Sequence, residues 1–167
     1  PSGPGLLAGQ HQARIGIVDT TPYGGAAVPI TLTVNPAYGV GLVGIPEAGW
    51  GAAGTTVAYT VRITNTGNTA DIFDLAPTAT WAAVLSNPVV NVAGWSWTQV
   101  TVEVTIPAGA TVGQSDVATI TALSRSDANA TTSIMLTTTA AGYGVTMTPA
   151  TDTRSGAPGS TVEYDLR

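Results

Sequence analysis

The chain has 167 residues, a net charge of −5 and only 9% charged residues; it has no cysteine, and Arg14, Arg62, Arg125, Arg154 and Arg167 account for all five cations, leaving no lysine. Nucleic acid is excluded as an expected partner, because phosphate binding needs basic surface; a disulfide framework and a Lys–Asn isopeptide crosslink are excluded by the missing residue types. No apolar run approaches the roughly 20 residues that cross a bilayer, so no membrane insertion is expected in this segment, and any targeting or anchoring sequence is expected outside it.

Residues 1–35 read as the closing hairpin of a preceding domain, with strands at Ala13–Val18 and Ala26–Val34 bridged by a turn at 19–25. The link Asn35-Pro36-Ala37 is short and carries a proline, which restricts how neighbouring units swing. Residues 36–140 then read as one complete domain. Tyr38–Ile45 opens it and Pro46–Gly54 reads as a turn. Thr55–Thr64 is the clearest strand, with Val57, Tyr59, Val61 and Ile63 on one face and Thr56, Ala58, Thr60, Arg62 and Thr64 on the other. After the turn Asn65-Thr66-Gly67-Asn68 comes a strand at Ala70–Ala76 with Phe73 and Leu75 pointing in, then short strands at Trp81–Leu85 and Val89–Val92. Beyond the turn at Gly94, Thr98–Ile106 alternates Val100, Val102, Val104 and Ile106 against Thr101, Glu103 and Thr105 until Pro107-Ala108-Gly109 breaks it. Asp116–Leu123 and Thr131–Thr138 close the domain around a turn at Arg125–Asn129. About seven or eight short strands with turn signals every roughly 8–12 residues predict an antiparallel sandwich of immunoglobulin type.

Residues 141–167 read as the opening strands of a following domain. Tyr143–Arg167 repeats Tyr38–Arg62 without a gap, 105 residues on, with ten of 25 positions identical, among them Gly51, Gly54, Val57, Tyr59 and Arg62. The fold expected is therefore all-β: an immunoglobulin-like antiparallel β-sandwich in tandem repeats, with one complete central domain and partial domains at both ends.

The run Gly54-Thr55-Thr56-Val57-Ala58-Tyr59-Thr60-Val61, then Asn65-Thr66-Gly67-Asn68, Asp71-Ile72-Phe73-Asp74-Leu75, Trp81 and Ile106-Pro107-Ala108-Gly109-Ala110 resembles the immunoglobulin-like domains repeated in prokaryotic surface proteins and appended to secreted hydrolases. The resemblance covers about residues 38–139 and departs from the family pattern at Trp95-Ser96-Trp97. It implies a sandwich without catalytic residues, serving as spacer, adhesin, coat component or accessory module.

The inventory of reactive side chains points the same way. His11 is the sole histidine and stands between Gln10 and Gln12, with no thiolate or amine nucleophile anywhere in the chain. Asp71 and Asp74, three positions apart on a strand, project to opposite faces and cannot share a proton. Oxygens cluster at Asn65, Asn68 and Asp71, but without the alternating ligand spacing of a dedicated calcium loop. No catalytic residue, cofactor or metal is expected. Trp81 falls where an immunoglobulin sandwich keeps a core aromatic. Trp50, Trp95 and Trp97 lie in loops at opposite poles and admit three readings: end-to-end contact, folding back over the domain's own core, or stacking on sugar. Asn129-Ala130-Thr131 is the one N-glycosylation sequon and makes Asn129 a candidate modification site.

The function expected is structural and non-catalytic: tandem domains outside a prokaryotic cell, self-associating end to end into a filament, stalk or surface layer, possible by strand complementation between subunits. The alternative is a carbohydrate-binding or spacer module of a secreted hydrolase, touching polysaccharide.

Overall fold

The computed structural model describes residues 5–17, 25–142 and 153–164. Eleven strands are present among them: β1 (Gly9–Ile17), β2 (Ala26–Val34), β3 (Val40–Ile45), β4 (Ala48–Gly51), β5 (Thr56–Asn65), β6 (Asp71–Thr78), β7 (Ala82–Leu85), β8 (Val89–Val92), β9 (Trp97–Thr105), β10 (Ser115–Ser124) and β11 (Thr131–Ala140). The last nine make a two-layer sandwich, with one sheet ordered β4-β11-β10-β6-β8 and the other β3-β5-β9-β7. The chain is an all-β immunoglobulin-like sandwich, as its alternation predicts. β1 and β2 form a separate two-stranded hairpin.

Period-two patterning sends alternate side chains of each strand to opposite faces, and here the apolar set goes in. Tyr59, Val61 and Ile63 of β5, Val100, Val102 and Val104 of β9, and Ile106 just beyond are all buried; Phe73 and Leu75 of β6, Ile120 of β10 and Leu136 of β11 face them from the other sheet. Each such side chain contributes about 1.5–3 kcal/mol when fully removed from water. Trp81 is 5% exposed and closes one edge of this core, its backbone N–H donating to Asp116 Oδ2 at 2.8 Å.

A buried hydroxyl tie crosses between the layers. The Tyr59 hydroxyl donates to the Thr137 carbonyl at 2.9 Å and lies 2.6 Å from Thr138 Oγ1, a fully buried hydroxyl, so that β5 of one sheet is bonded to β11 of the other. No disulfide is available for the purpose.

Two strand assignments are corrected. Pro46–Gly54 is not simply a turn, since Ala48–Gly51 forms β4 and pairs in parallel with β11, Thr139 beside Trp50 and Ala140 beside Gly51. Gly54 does turn the chain, at φ = 81°, whereas Gly49 and Gly51 serve close packing: a Cβ on Gly49 would stand 2.8 Å from Val57 Cγ1 and 3.0 Å from Tyr59 Oη, and one on Gly51 2.7 Å from Thr55 Oγ1. At the other end, residues 153–164 contain no strand and are nearly all exposed; the remainder of the segment expected to open a further domain, 143–152 and 165–167, lies outside the described residues. The first strand of the hairpin also begins earlier than expected, at Gly9 instead of Ala13.

Replacing Tyr59 by Phe deprives the buried Thr138 hydroxyl and the Thr137 carbonyl of their partner, so chemical denaturation should show a loss of about 1–3 kcal/mol. Burial raises the Tyr59 hydroxyl above its usual 10.0, offset in part by the bond to Thr138. A raised folded value means that this group's contribution is complete below pH 10 and declines as pH climbs through the folded value. The denaturation midpoint of the wild type should therefore fall above about pH 10, and that alkaline step should shrink in Tyr59→Phe.

Candidate interaction site at the hairpin pole

The pole of the sandwich from which the hairpin projects is built by two buried asparagines. Asn65, 1% exposed at the end of β5, donates from Nδ2 to the carbonyls of Thr69 (2.8 Å) and Val92 (2.9 Å), while its Oδ1 accepts the Gly67 N–H at 2.8 Å. This fixes the turn 65–69 against the end of β8. Asn68 then takes hold of the incoming chain. Its Oδ1 accepts the Ala37 N–H at 2.7 Å, its Nδ2 donates to the Asn35 carbonyl at 3.0 Å, and its backbone N–H donates to the Ala37 carbonyl at 3.1 Å. The Asn68 carbonyl accepts the Ala8 N–H at 2.9 Å. One residue thus bonds both feet of the hairpin, the segment before β1 and the segment after β2.

Glycines make the approach close enough. A Cβ on Gly67 would collide with the Ala37 carbonyl, and one on Gly94 would stand 2.7 Å from Asn68 C and Thr69 N. Trp95 adopts φ = 58°, with its N–H bonded to the Gly67 carbonyl at 3.0 Å, and turns its ring toward the segment before β1, 3.7 Å from where a Gly5 Cβ would be. Left-handed φ is uncommon for a bulky residue and persists only where the surroundings impose it.

The hairpin so held is amphipathic. Its register places His11 opposite Leu32, Ala13 opposite Ile30, Ile15 opposite Val28 and Ile17 opposite Ala26 on one face, and Gln10 opposite Thr33, Gln12 opposite Thr31 and Arg14 opposite Pro29 on the other. Ile15, Ile17, Val28, Ile30 and Leu32 are each 40–56% exposed. Among the described residues no element covers this apolar face. A two-stranded ribbon is marginal in water by itself, and exposed apolar patches with polar rims are where interaction surfaces are sought.

The other residues singled out in the sequence are scattered. Trp97, 56% exposed at the start of β9, lies on the outer face of the four-stranded sheet, with the Arg62 guanidinium 6.0 Å from its ring centroid. Trp50, 72% exposed, sits on the edge strand β4 beside Thr139, at the pole from which the chain leaves the sandwich. The three indoles therefore form no common platform, and Trp95 alone belongs to the hairpin pole. Asn129 is exposed between β10 and β11, its backbone and side-chain nitrogens donating to Asp127 Oδ1 at 2.9 and 3.0 Å, while the sequon's Thr131 hydroxyl donates to the Ala122 carbonyl at 2.9 Å.

His11 Nε2 contacts the Leu7 carbonyl at 2.8 Å, and among the described residues it belongs to no cluster of acids or metal ligands. Asp71 and Asp74 do point to opposite faces. Asp74 is exposed and makes a bidentate pair with Arg125, which holds its carboxyl below the usual carboxylate range through the hydrogen bonds and then the guanidinium charge; such a surface pair contributes little to stability. Asp71 is buried and accepts the hydroxyls of Ser124 (2.5 Å) and Ser126 (2.7 Å). Its oxygens, like those of Asn65 and Asn68, are directed at N–H and O–H donors of this chain instead of at a shared centre. Neither the Asp71 network nor the Asn68 clasp is legible in the sequence, since their partners lie 31 to 60 positions away.

No family model matches the chain, and no curated protein does. Solved structures are similar in fold at low identity: WR4, an MSP family member of C. elegans (14% identity over 60% of this chain and 97% of that one, TM-score 0.41); the ASH / PapD-like domain of human CEP192 (10%, 63% and 87%, 0.44); and SSP-19, an MSP-domain protein of Caenorhabditis elegans (14%, 59% and 98%, 0.39). These likenesses concern the sandwich architecture and carry nothing about partners or activity.

Removing the clasp should free the hairpin without unfolding the sandwich. Asn68→Ala leaves the Ala37 N–H and Asn35 carbonyl without their partners, at a local cost of about 1–3 kcal/mol. Hydrogen exchange at Ala37 should accelerate by roughly tenfold or more, the equivalent of 1.4 kcal/mol, while amides of β5 and β9 keep their protection.

Proposed function

We propose that this chain is a structural, non-catalytic protein of the outside of a prokaryotic cell, in which immunoglobulin-like units are joined end to end into a filament, stalk or surface layer. The observation that carries the reading is the hairpin: an amphipathic ribbon with one bare apolar face, bonded at both feet to the pole of a finished sandwich. A surface short of charge supports close association, because little repulsion opposes packing of neighbours. The Thr-rich solvent faces and the lack of cysteine and lysine suit a protein built for exposure, with the core supplying stability. In this reading residues 1–35 close a preceding unit, 36–140 are a whole one, and 141–167 begin the next, with strand complementation between subunits as the means of joining.

A second reading rests on Trp97. Its exposed ring, with the Arg62 guanidinium 6.0 Å from the centroid on the outer face of the four-stranded sheet, is a surface on which a sugar ring could lie, which favours an accessory polysaccharide-binding module of a secreted hydrolase.

The two part company in one pair of measurements. Electron microscopy and small-angle scattering on the purified chain should reveal particles that lengthen with concentration, while pull-down on insoluble glycans leaves the chain in the supernatant. Retention on glycan that disappears in Trp97→Ala or Trp95→Ala, with no elongation of the particles, would transfer the assignment to the binding module.

A further inference from the structure

The chain carries second copies of two pieces that mate inside the sandwich, and among the described residues neither copy has its mate. The first is the hairpin. Ala13, Ile15 and Ile17 of β1 stand 105 residues before the inward-facing Ala118, Ile120 and Ala122 of β10. Their register partners Ile30, Val28 and Ala26 take the places of Leu136, Ile134 and Thr132 on β11.

The second piece is residues 153–164, which repeat 48–59 with Gly156, Ala157, Gly159, Thr161, Val162 and Tyr164 unchanged. Conformation is repeated along with the letters. Gly159 and Gly54 have φ of 85° and 81°. The Ser160 N–H donates to the Ala157 carbonyl at 3.0 Å as that of Thr55 does to Ala52 at 3.1 Å, and both hydroxyls add a 2.8 Å bond to the same carbonyl. A Cβ on Gly156 would meet Ser160 Oγ and Val162 Cγ2, just as one on Gly51 would meet Thr55 Oγ1 and Val57 Cγ2. The corner that leads β4 into β5 is thus already formed in 153–164, but Tyr164 is 53% exposed where its counterpart Tyr59 is 1%.

Resting on the end-to-end reading above, we propose that the outer edge of β2 binds residues 153–164 of a second copy of this chain, in the parallel register that β11 uses for β4. Thr31, Leu32, Thr33 and Val34 then lie beside Thr153, Arg154, Ser155 and Gly156, as Thr137 to Ala140 lie beside Ala48 to Gly51. The Tyr164 hydroxyl donates to the Thr31 carbonyl, as that of Tyr59 does to Thr137. The Asn35 N–H donates to the Gly156 carbonyl, as that of Ala141 does to Gly51. Val162 and Tyr164 come down on the apolar face of the hairpin. Five of the eight paired positions differ from the template: Thr153, Arg154 and Ser155 stand for Ala48, Gly49 and Trp50, and Leu32 and Val34 for Thr138 and Ala140. Leu32 leaves Tyr164 a carbonyl acceptor without the hydroxyl, and Arg154 brings a Cβ to the place where one on Gly49 would stand 2.8 Å from Val57 Cγ1 and 3.0 Å from Tyr59 Oη, so Val162 and Tyr164 sit further out than their counterparts, with the Arg154 guanidinium over the Tyr164 ring. A second copy is the occupant because hairpin and exit lie at opposite poles, so copies in series present one piece to the other. Edge pairing of this kind draws its affinity from main-chain hydrogen bonds and its selectivity from alternate side chains.

The absence of cysteine makes a clean test possible. Thr33→Cys and Ser155→Cys chains, mixed in a glutathione redox buffer, should give the mixed disulfide in roughly tenfold excess over either self-dimer, since only residues with Cα atoms within about 7 Å close without backbone movement. Adding Ile30→Asp to the Thr33→Cys chain should abolish it; Ile30 lies outside the sandwich, so the near-ultraviolet circular dichroism of the core aromatics stays as it was. A mixed disulfide no more abundant than the self-dimers overturns the docking, and so does closure within one chain in a Thr33→Cys, Ser155→Cys double variant. Sedimentation of the unaltered chain separates the two levels. Concentration-dependent association with no mixed disulfide rejects this register and leaves end-to-end assembly standing, whereas a monomer at every concentration rejects both.

Discussion

The structure depends on a hydroxyl bond across the core. In a sandwich without disulfides, apolar burial drives the two sheets together but does not by itself set how one slides on the other, because burial is non-directional. The Tyr59 hydroxyl, bonded to the Thr137 carbonyl and Thr138 Oγ1, supplies a directional tie from β5 to β11. Gly49 lets β4 pass close beside the phenol, and β4 in turn closes the edge of β11. Unmaking such a bond in a dry interior costs the desolvation of each orphaned group, so the tie discriminates against slipped arrangements more strongly than its net contribution suggests.

The pole carries a second level of organisation. Asn65 shapes a turn, and Asn68 within that turn seizes the backbone on both sides of the hairpin. A link containing Pro36 is already restricted; the clasp adds hydrogen bonds to that restriction. Direction of the hairpin is thereby referred to the sandwich, which is what a semi-rigid rod of such units needs.

Edges sort into two kinds. β4, β7 and β8 are four residues each, and short edge strands are a common device against unwanted pairing. β2 is nine residues long, and Pro29 within it subtracts only one donor. Five aliphatic side chains are exposed on one face of the same ribbon, and its long edge is the one that the proposed docking would cover.

Much of this was legible in the residues because alternation and turn chemistry are local. Val57 through Ile63 and Val100 through Ile106 announce a face that must go inward, whatever the partner, and Trp81 and Phe73 follow the same logic. The 105-residue repeat likewise needs nothing but the letters. What the letters could not convey is any bond whose partner is distant: β4 reading as a turn, Asn68 reading as a turn former, Asp71 reading as one of a loose cluster of oxygens. In each case the deciding contact lies dozens of positions away, and side chains such as Asn and Asp suit exposed turns and buried clasps equally well. The sequence alone determined which face of every strand is apolar, since that is set residue by residue. Only the tertiary structure decided which apolar faces find a cover and which polar groups become the fasteners, since both require knowing what stands opposite.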